Sequence, residues 1–128
     1  MTGTKIRLSP AQVAHRIADI VIDKKGTELL VMDIADCSDI ADYMIMASGG
    51  NKRQVQAISQ EIRKQLKEAG HLPLSVTGLE HGWWVLVDYG DVLVHVMQDD
   101  ARRFYDIEAL WADGQVVRRS PDVGQLAG

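Results

Sequence analysis

The chain has a single cysteine, no long apolar run and no apolar segment near its N-terminus. Its 128 residues include one cysteine, so no disulfide can form within the chain. That cysteine, Cys37, lies in the polar segment DIADCSDIAD, and we expect an inert thiol in a reducing compartment. No apolar run approaches the roughly 20 residues that span a bilayer, and the N-terminal MTGTKIRLSP lacks the apolar segment of a secretory signal. These absences predict a soluble cytoplasmic protein without a membrane partner.

Lysine and arginine are missing from two long segments, residues 26–51 and 68–101. The same segments carry eleven carboxylates: Glu28, Asp33, Asp36, Asp39, Asp42, Glu68, Glu80, Asp88, Asp91, Asp99 and Asp100. Because these segments also hold the predicted strands, the sheet and its rims should be negative. A negative surface favours a basic partner and disfavours sequence-specific binding of nucleic acid. Acidic loops that only keep the protein soluble are the alternative explanation.

The first two helices are predicted by their start and stop signals. Ser9 and Gln12 form the pattern of a capping box with Pro10 between them, and Gly26 should end the first helix. Asn51 is a suitable cap for the second helix, which should end at Gly70. The outer face of this second helix is rich in lysine and arginine, which favours a solvated surface.

A third helix is predicted from Asp99 or Asp100 through Trp111. Phe104, Ile107 and Trp111 recur at helical spacing and should face inward. Beyond Gly114 the segment is small and polar, which is typical of a disordered tail.

The predicted strands cover residues 28–35, 43–47, 74–77 and both arms of a hairpin at 83–97. The order α-β-β-α-β-β-β-α predicts one α/β domain in which a mixed sheet is flanked by helices. The predicted boundaries are a flexible N-terminus at 1–8, the domain at 9–113 and a disordered tail at 114–128.

The segment ASGGNKRQ, at 47–54, joins a strand to a helix through a glycine turn. Such a turn can bind phosphate, and it suggests the layout of a nucleotidyltransferase. That chemistry requires two carboxylates on the next strand to hold divalent ions. The next predicted strand, LPLSVTG, has none. We therefore expect a structural turn and no nucleotide cofactor.

Asp88, Asp91 and His95 of the hairpin have a spacing that resembles a set of metal ligands. With Tyr89-Gly90 as a two-residue turn, Asp88 would face Asp91, and Trp84 would face His95. His95 would then lie about 13 Å from Asp91 along the strand, too far for one ion. The other histidines do not combine with serine or cysteine in a recognisable catalytic pattern. The sequence predicts neither a metal site nor an enzyme.

The hairpin divides its side chains between two faces. One face carries Trp83 and the alternating valines Val85, Val87, Val92, Val94 and Val96, a β-branched surface suited to burial under helices. The other carries Trp84, Leu86, Asp88, Asp91, Leu93, His95 and Met97. Tryptophan, methionine and a charged rim are typical of protein interfaces. From the residues alone, this face is equally compatible with a core covered by another helix.

Three motifs give the chain a resemblance to a known family. They are DYMIMASG…RQVQAI (42–58), WVLVDYGDVLVHVM (84–97) and RRFYDIEALW (102–111). Together they resemble the ribosomal silencing factor, or Iojap-like, family over roughly residues 10–112. The resemblance implies a nucleotidyltransferase-like fold without catalytic carboxylates. Asn51 stands where the family usually has serine, and Trp83 is an additional tryptophan without an assigned role.

The resemblance also implies what the protein binds. Members are expected to dock on the large ribosomal subunit through its ribosomal protein fourteen. There they block joining of the small subunit and lower translation when nutrients are scarce. An assembly factor for the large subunit and a residual nucleotidyltransferase are the alternatives, and a homodimer is compatible with the family. The partner-binding residues implied by position are Trp84, Asp88, Asp91, His95, Met97, Asp42 and Tyr43.

Overall fold

Residues 7–104 and 113–120 are described by a computed structural model, in which six strands form one sheet. In chain order the elements are α1 (Pro10–Asp23), β1 (Thr27–Asp33), β2 (Tyr43–Gly49), α2 (Lys52–Glu68), β3 (Ser75–Thr77), β4 (Trp84–Asp88), β5 (Val92–Gln98), α3 (Asp99–Phe104) and β6 (Gln115–Arg119). The sheet order is β3-β4-β5-β2-β1-β6. Strands β2 and β5 are parallel, and the other neighbouring pairs are antiparallel. The predicted mixed sheet with flanking helices is confirmed.

Both predicted helix caps form. The Ser9 hydroxyl accepts a hydrogen bond from the Gln12 N–H at 3.2 Å, and the Gln12 side chain accepts one from the Ser9 N–H at 2.8 Å. The Asn51 side chain accepts from the Gln54 N–H at 2.9 Å. These bonds satisfy backbone donors that have no partner within the helix, and they fix where α1 and α2 begin.

Within residues 7–104 and 113–120, none of the helices has the length and apolar character that a membrane span requires.

Helices α1 and α2 cover the valine side of the sheet. Their inner faces include Ile17, Val21, Ile58 and Ile62, all fully buried. They pack against the valines of β4 and β5 and the apolar residues of β1 and β2. Trp83 does not belong to this core, because it precedes β4 and is 39% exposed. The prediction that it packs with the valines is wrong.

The opposite side of the sheet has a smaller, methionine-rich core. Met44, Met46 and Met97 are fully buried there, together with Ala101 of α3. Trp84 and Leu93 pack against this cluster but remain partly exposed. The second face is therefore covered over its centre, and it is partly open on the side of β4.

The hairpin turn lies one residue later than the sequence suggested. The Tyr89 N–H donates to the Val92 carbonyl at 2.9 Å, so Gly90 and Asp91 occupy the centre of the turn. Gly90 has φ +89°, which glycine adopts without steric cost, and type II′ turns place glycine at this first central position. The predicted pairing is thus wrong: Asp88 faces Leu93, Leu86 faces His95 and Trp84 faces Met97.

The end of the domain also differs from the prediction. Residues 115–119 form β6, which pairs antiparallel with β1, so a disordered tail beginning at residue 114 is wrong for this segment. Because β6 brings Arg118 and Arg119 to one edge, the sheet is not without cations. Residues 1–6 and 121–128 lie outside the described residues.

Helix α3 begins at Asp99, as predicted, and the structure describes it to Phe104. Phe104 is 76% exposed, so the prediction that its side chain faces inward is wrong. Ile107 and Trp111, the other members of the predicted inner stripe, lie outside the described residues.

Candidate contact surface on the sheet

The partly open side of the methionine-rich face is formed by β3, β4 and β5. Trp84, Leu86 and Asp88 alternate along β4 on this side, with Leu93 of β5 and Thr77 of β3 beside them. Thr77 is exposed and the other four are partly exposed. We call these five residues the contact face. Leu86 and Leu93 are absent from the implied binding residues, although the alternation of the hairpin already placed them on this side.

Trp84 is held in place by His95. The indole Nε1–H donates to His95 Nδ1 at 3.0 Å, and the two ring centroids lie 5.8 Å apart. Because Nδ1 accepts this bond, the imidazole is neutral and its proton is on Nε2. His95 is 7% exposed, so it supports Trp84 from below.

The neutral state of His95 is maintained by its surroundings. Burial lowers the pKa of His95 to about 4, and the positive charge of Arg102 adds to the effect. Arg102 is itself 5% exposed and donates to the Ser48 hydroxyl at 3.0 Å. A buried guanidinium from α3 therefore favours the histidine state that can accept the tryptophan N–H.

Four of the implied binding residues meet at one end of the sheet, where β2 and β5 begin. The Asp91 carbonyl accepts from the N–H groups of Asp42 and Tyr43 at 2.9 and 3.0 Å. The Asp88 carboxylate accepts from the Gly90 N–H at 2.7 Å and so stabilises the hairpin turn. This acidic end lies about 13 Å from Trp84 along β4. Leu86 and Leu93 occupy the space between them.

Three of the implied residues do not present a side chain on the contact face, and one of them is His95, which is buried beneath Trp84. Met97 is fully buried beneath this face, so it can support the surface but does not present a side chain to a partner. Tyr43 packs against the core under α1 and α2, on the opposite side of the sheet. An exposed leucine that is absent from the implied residues lies at the acidic end: the Leu74 N–H donates to the Asp88 carbonyl at 2.7 Å. Leu74 is 75% exposed, and Leu72, two residues earlier, is 69% exposed. The signal in the sequence was the presence of two leucines in the short segment HLPL between α2 and β3.

The backbone amide of the glycine turn after β2 is already hydrogen-bonded to a side chain of the helix that follows, α2. The Gln54 side chain accepts from the Gly50 N–H at 2.7 Å, while the Gln54 N–H is bonded to Asn51. A phosphate would have to displace Gln54 to reach the Gly50 amide. Strand β3, the next in the chain, carries no carboxylate. Within residues 7–104 and 113–120, no three His, Cys, Asp or Glu side chains are grouped so that they could hold a metal.

Comparison with known proteins connects this geometry to a family. The family model described as "Ribosomal silencing factor during starvation" matches residues 7–127. The chain belongs to this family. The motifs in 42–58, 84–97 and 102–111 therefore identified it correctly. In the structure, the second motif forms the hairpin that carries Trp84 and His95.

Individual relatives agree with this assignment. A Ribosomal silencing factor of Chromobacterium violaceum is 45% identical over 100 residues, which is 78% of this chain and 82% of the relative. A crystal structure of a C. violaceum protein superposes with a TM-score of 0.80 at 36% identity, covering 90% of this chain and 95% of that one. A more distant mouse relative is named "Mitochondrial assembly of ribosomal large subunit protein 1"; it is 25% identical over 86% of this chain and 53% of its own length. The family thus shares this α/β fold.

Proposed function

We propose that this protein binds the large ribosomal subunit through its ribosomal protein fourteen and sterically blocks joining of the small subunit. It would thereby lower translation when nutrients are limiting. The family supports a silencing role, and the name of the mouse relative supports the large subunit as the site of action. The observation that carries the proposal is the partly exposed Trp84, whose indole is fixed by a hydrogen bond to buried His95.

A fixed, partly exposed tryptophan is suited to anchoring a protein partner. Tryptophan offers a large contact area, and it often contributes much of an interface's binding energy. Its side chain must be immobilised on binding, which costs free energy unless it is already ordered. The bond to His95 orders Trp84 before a partner arrives. Leu86 and Leu93 extend the apolar area beside it.

The acidic end determines what kind of partner fits. Asp42, Asp88 and Asp91 lie together there, next to exposed Leu74, and the segment 68–101 contributes no lysine or arginine. Such a surface is complementary to a basic protein that also offers apolar side chains. Ribosomal proteins are typically of this kind, because they bind RNA.

Repression by this route requires binding alone. The protein needs only to occupy the surface of the large subunit that the small subunit would contact. A factor for large-subunit assembly is the second candidate, and the mouse relative's name favours it. Both roles use the same contact face. They differ in whether precursor particles or mature subunits are bound.

The test is to mix purified large and small subunits with increasing amounts of the protein and to follow subunit joining by light scattering. We expect inhibition that saturates at one protein for each large subunit, together with co-sedimentation of the protein with large subunits. Unchanged joining at saturating protein would refute the repressor function. Sedimentation of cell lysate then separates the two candidates, since an assembly factor should be found mainly on precursor particles.

A further inference from the structure

The outer face of α2 carries cations at both ends of the helix, with glutamines between them. At 100° per residue, all five lysines and arginines of this helix fall within an arc of about 120°. Gln56 and Gln60 lie in the same arc, whereas Glu61 and Glu68 lie outside it. We call the cations of this arc the basic stripe: Lys52, Arg53, Arg63, Lys64 and Lys67.

Most of the stripe is exposed to solvent. Lys52, Arg53, Lys64 and Lys67 are exposed, and none forms a salt bridge with a carboxylate of the described chain. Arg63 is partly buried and donates to the Gln60 side chain at 3.0 Å.

The nearest carboxylate of the helix, Glu61, is shared between Lys64 of the stripe and groups outside it: the hydrogen bond with Gln65, together with the charges of Lys24 and Lys64, lowers the pKa of Glu61. Glu61 accepts a hydrogen bond from the Gln65 side chain at 2.8 Å, and it lies 3.9 Å from Lys24 at the end of α1. Most of the positive charge of the stripe is therefore directed to solvent by Lys52, Arg53 and Lys67.

The stripe and the contact face meet at the same edge of the sheet. The Gln56 amide donates to the carbonyls of Leu79 and Glu80 at 2.9 and 3.1 Å, in the loop that joins β3 to β4. A Cβ at Gly82 in this loop would lie 2.6 Å from Lys52 Cγ, so loop and stripe are in close contact. Since this loop leads directly into Trp84, a large particle that binds the contact face can extend around the β3 edge to the stripe.

We propose that the basic stripe binds the phosphate backbone of ribosomal RNA beside the protein that occupies the contact face. This inference rests on the proposed function and adds a second contact to it. The stripe is about 22 Å long, enough to follow several phosphates. It contains no aromatic residue on which a base would stack, so the contact is with the backbone and independent of sequence. Although the net charge of the chain is −4, charges of opposite sign are separated on its surface. Carboxylates gather at the acidic end, and the cations of the basic stripe lie on α2.

The test is the double substitution Lys64→Gln/Lys67→Gln, which removes two exposed charges and keeps side chains with good helix propensity. Losing two phosphate contacts should weaken binding to intact large subunits by about 25- to 60-fold at 0.1 M salt. The plot of log affinity against log salt concentration should become shallower by about 2. Affinity is measured by fluorescence anisotropy of labelled protein over a series of potassium chloride concentrations.

Two further variants serve as controls of opposite kind. Arg16→Gln/Arg103→Gln makes the same change in net charge on α1 and α3, and it should leave the salt dependence close to that of the wild type. Glu80 lines a groove of about 670 Å³ next to the stripe, together with Arg53 and Gln60. Glu80→Gln should therefore strengthen binding, since it removes a charge that repels phosphate.

Three purified probes separate this inference from the proposed function: intact large subunits, isolated ribosomal protein fourteen and deproteinised large-subunit RNA. The Lys64/Lys67 variant should lose affinity for the subunits and for the RNA but bind the isolated protein as the wild type does. The RNA contact is refuted if the Lys64/Lys67 variant binds both subunits and RNA as tightly as the wild type does. It is also refuted if this variant loses no more affinity than the Arg16/Arg103 control. If the wild type binds neither subunits nor isolated protein, the proposed function fails, and the RNA probe still decides whether the stripe binds phosphate.

Discussion

Replacing His95 tests whether the neutral imidazole beneath Trp84 makes stability depend on pH. The folded protein keeps the His95 pKa near 4, whereas the unfolded chain should titrate near the ordinary value of 6.5. Between these values the unfolded state binds one more proton, so the free energy of unfolding falls as the pH falls. The contribution is complete above pH 6.5 and is lost as the pH drops towards 4.

The size of the effect follows from the two pKa values. Lowering the pH from 7.5 to 5 should remove about 2 kcal/mol of stability through His95 alone. His95→Asn retains an acceptor near the position of Nδ1 but does not titrate, so it should lack this part of the loss. Other groups titrate equally in both proteins, and the difference between them isolates His95.

The assay is urea unfolding of both proteins at pH 7.5 and pH 5, followed by circular dichroism. We expect the wild type to lose about 2 kcal/mol more than His95→Asn over this interval. Equal losses in the two proteins would show that His95 is not held neutral by burial. The account of how Trp84 is fixed would then be wrong.

Three further predictions concern the stability of the fold. Gly78→Ala should destabilise the protein by more than about 2 kcal/mol in thermal melting. Gly78 has φ +79°, and an added Cβ would lie 2.1 Å from the Trp84 carbonyl oxygen. Gly50→Ala is the matched control and should change stability little, because a Cβ at Gly50 would have no neighbour closer than 3.5 Å. Met97→Ala should cost about 2–5 kcal/mol in urea unfolding, since the side chain is fully buried; a loss of less than about 1 kcal/mol would contradict its place in the core. Arg118→Ala should cost only about 0.2–1 kcal/mol, because its 2.6 Å ion pair with Asp19 lies at the surface, with Asp19 66% and Arg118 28% exposed; a larger loss would mean that β6 depends on this pair.

Local signals were sufficient to predict α1, α2 and, apart from Trp83, the faces of the hairpin strands. Each cap, at Ser9 and at Asn51, involves only residues within three positions of it, so it can be recognised from the local sequence alone. The hairpin faces were also correct, although the turn was displaced by one residue. Moving the turn from Tyr89-Gly90 to Gly90-Asp91 shifts the pairing by two positions, and side chains alternate with a period of two. Each side chain therefore stays on its predicted side while its cross-strand partner changes.

Non-local contacts account for what the sequence did not predict. Strand β6 pairs with β1 more than 80 positions earlier in the chain, and its sequence QVVRR is short and polar at both ends. The predicted register placed Trp84 directly opposite His95, whereas the observed bond between them is diagonal, because Trp84 pairs with Met97 and Leu86 pairs with His95. The burial of Met97 depends on α3 packing over the face, which no pattern in the hairpin indicates.

The most direct test of the central claim is the affinity of Trp84→Ala for purified large subunits, measured beside its thermal melting, with Trp83→Ala as the matched control. Because Trp84 is partly exposed and fixed by His95, its truncation should cost about 2–4 kcal/mol of binding, or about 30- to 1,000-fold in affinity. The variant should still unfold cooperatively well above the assay temperature. Trp83, which is 39% exposed and outside the contact face, should tolerate alanine with little change in affinity or melting. A folded Trp84→Ala protein that binds large subunits as tightly as the wild type would contradict the contact face as the site of docking.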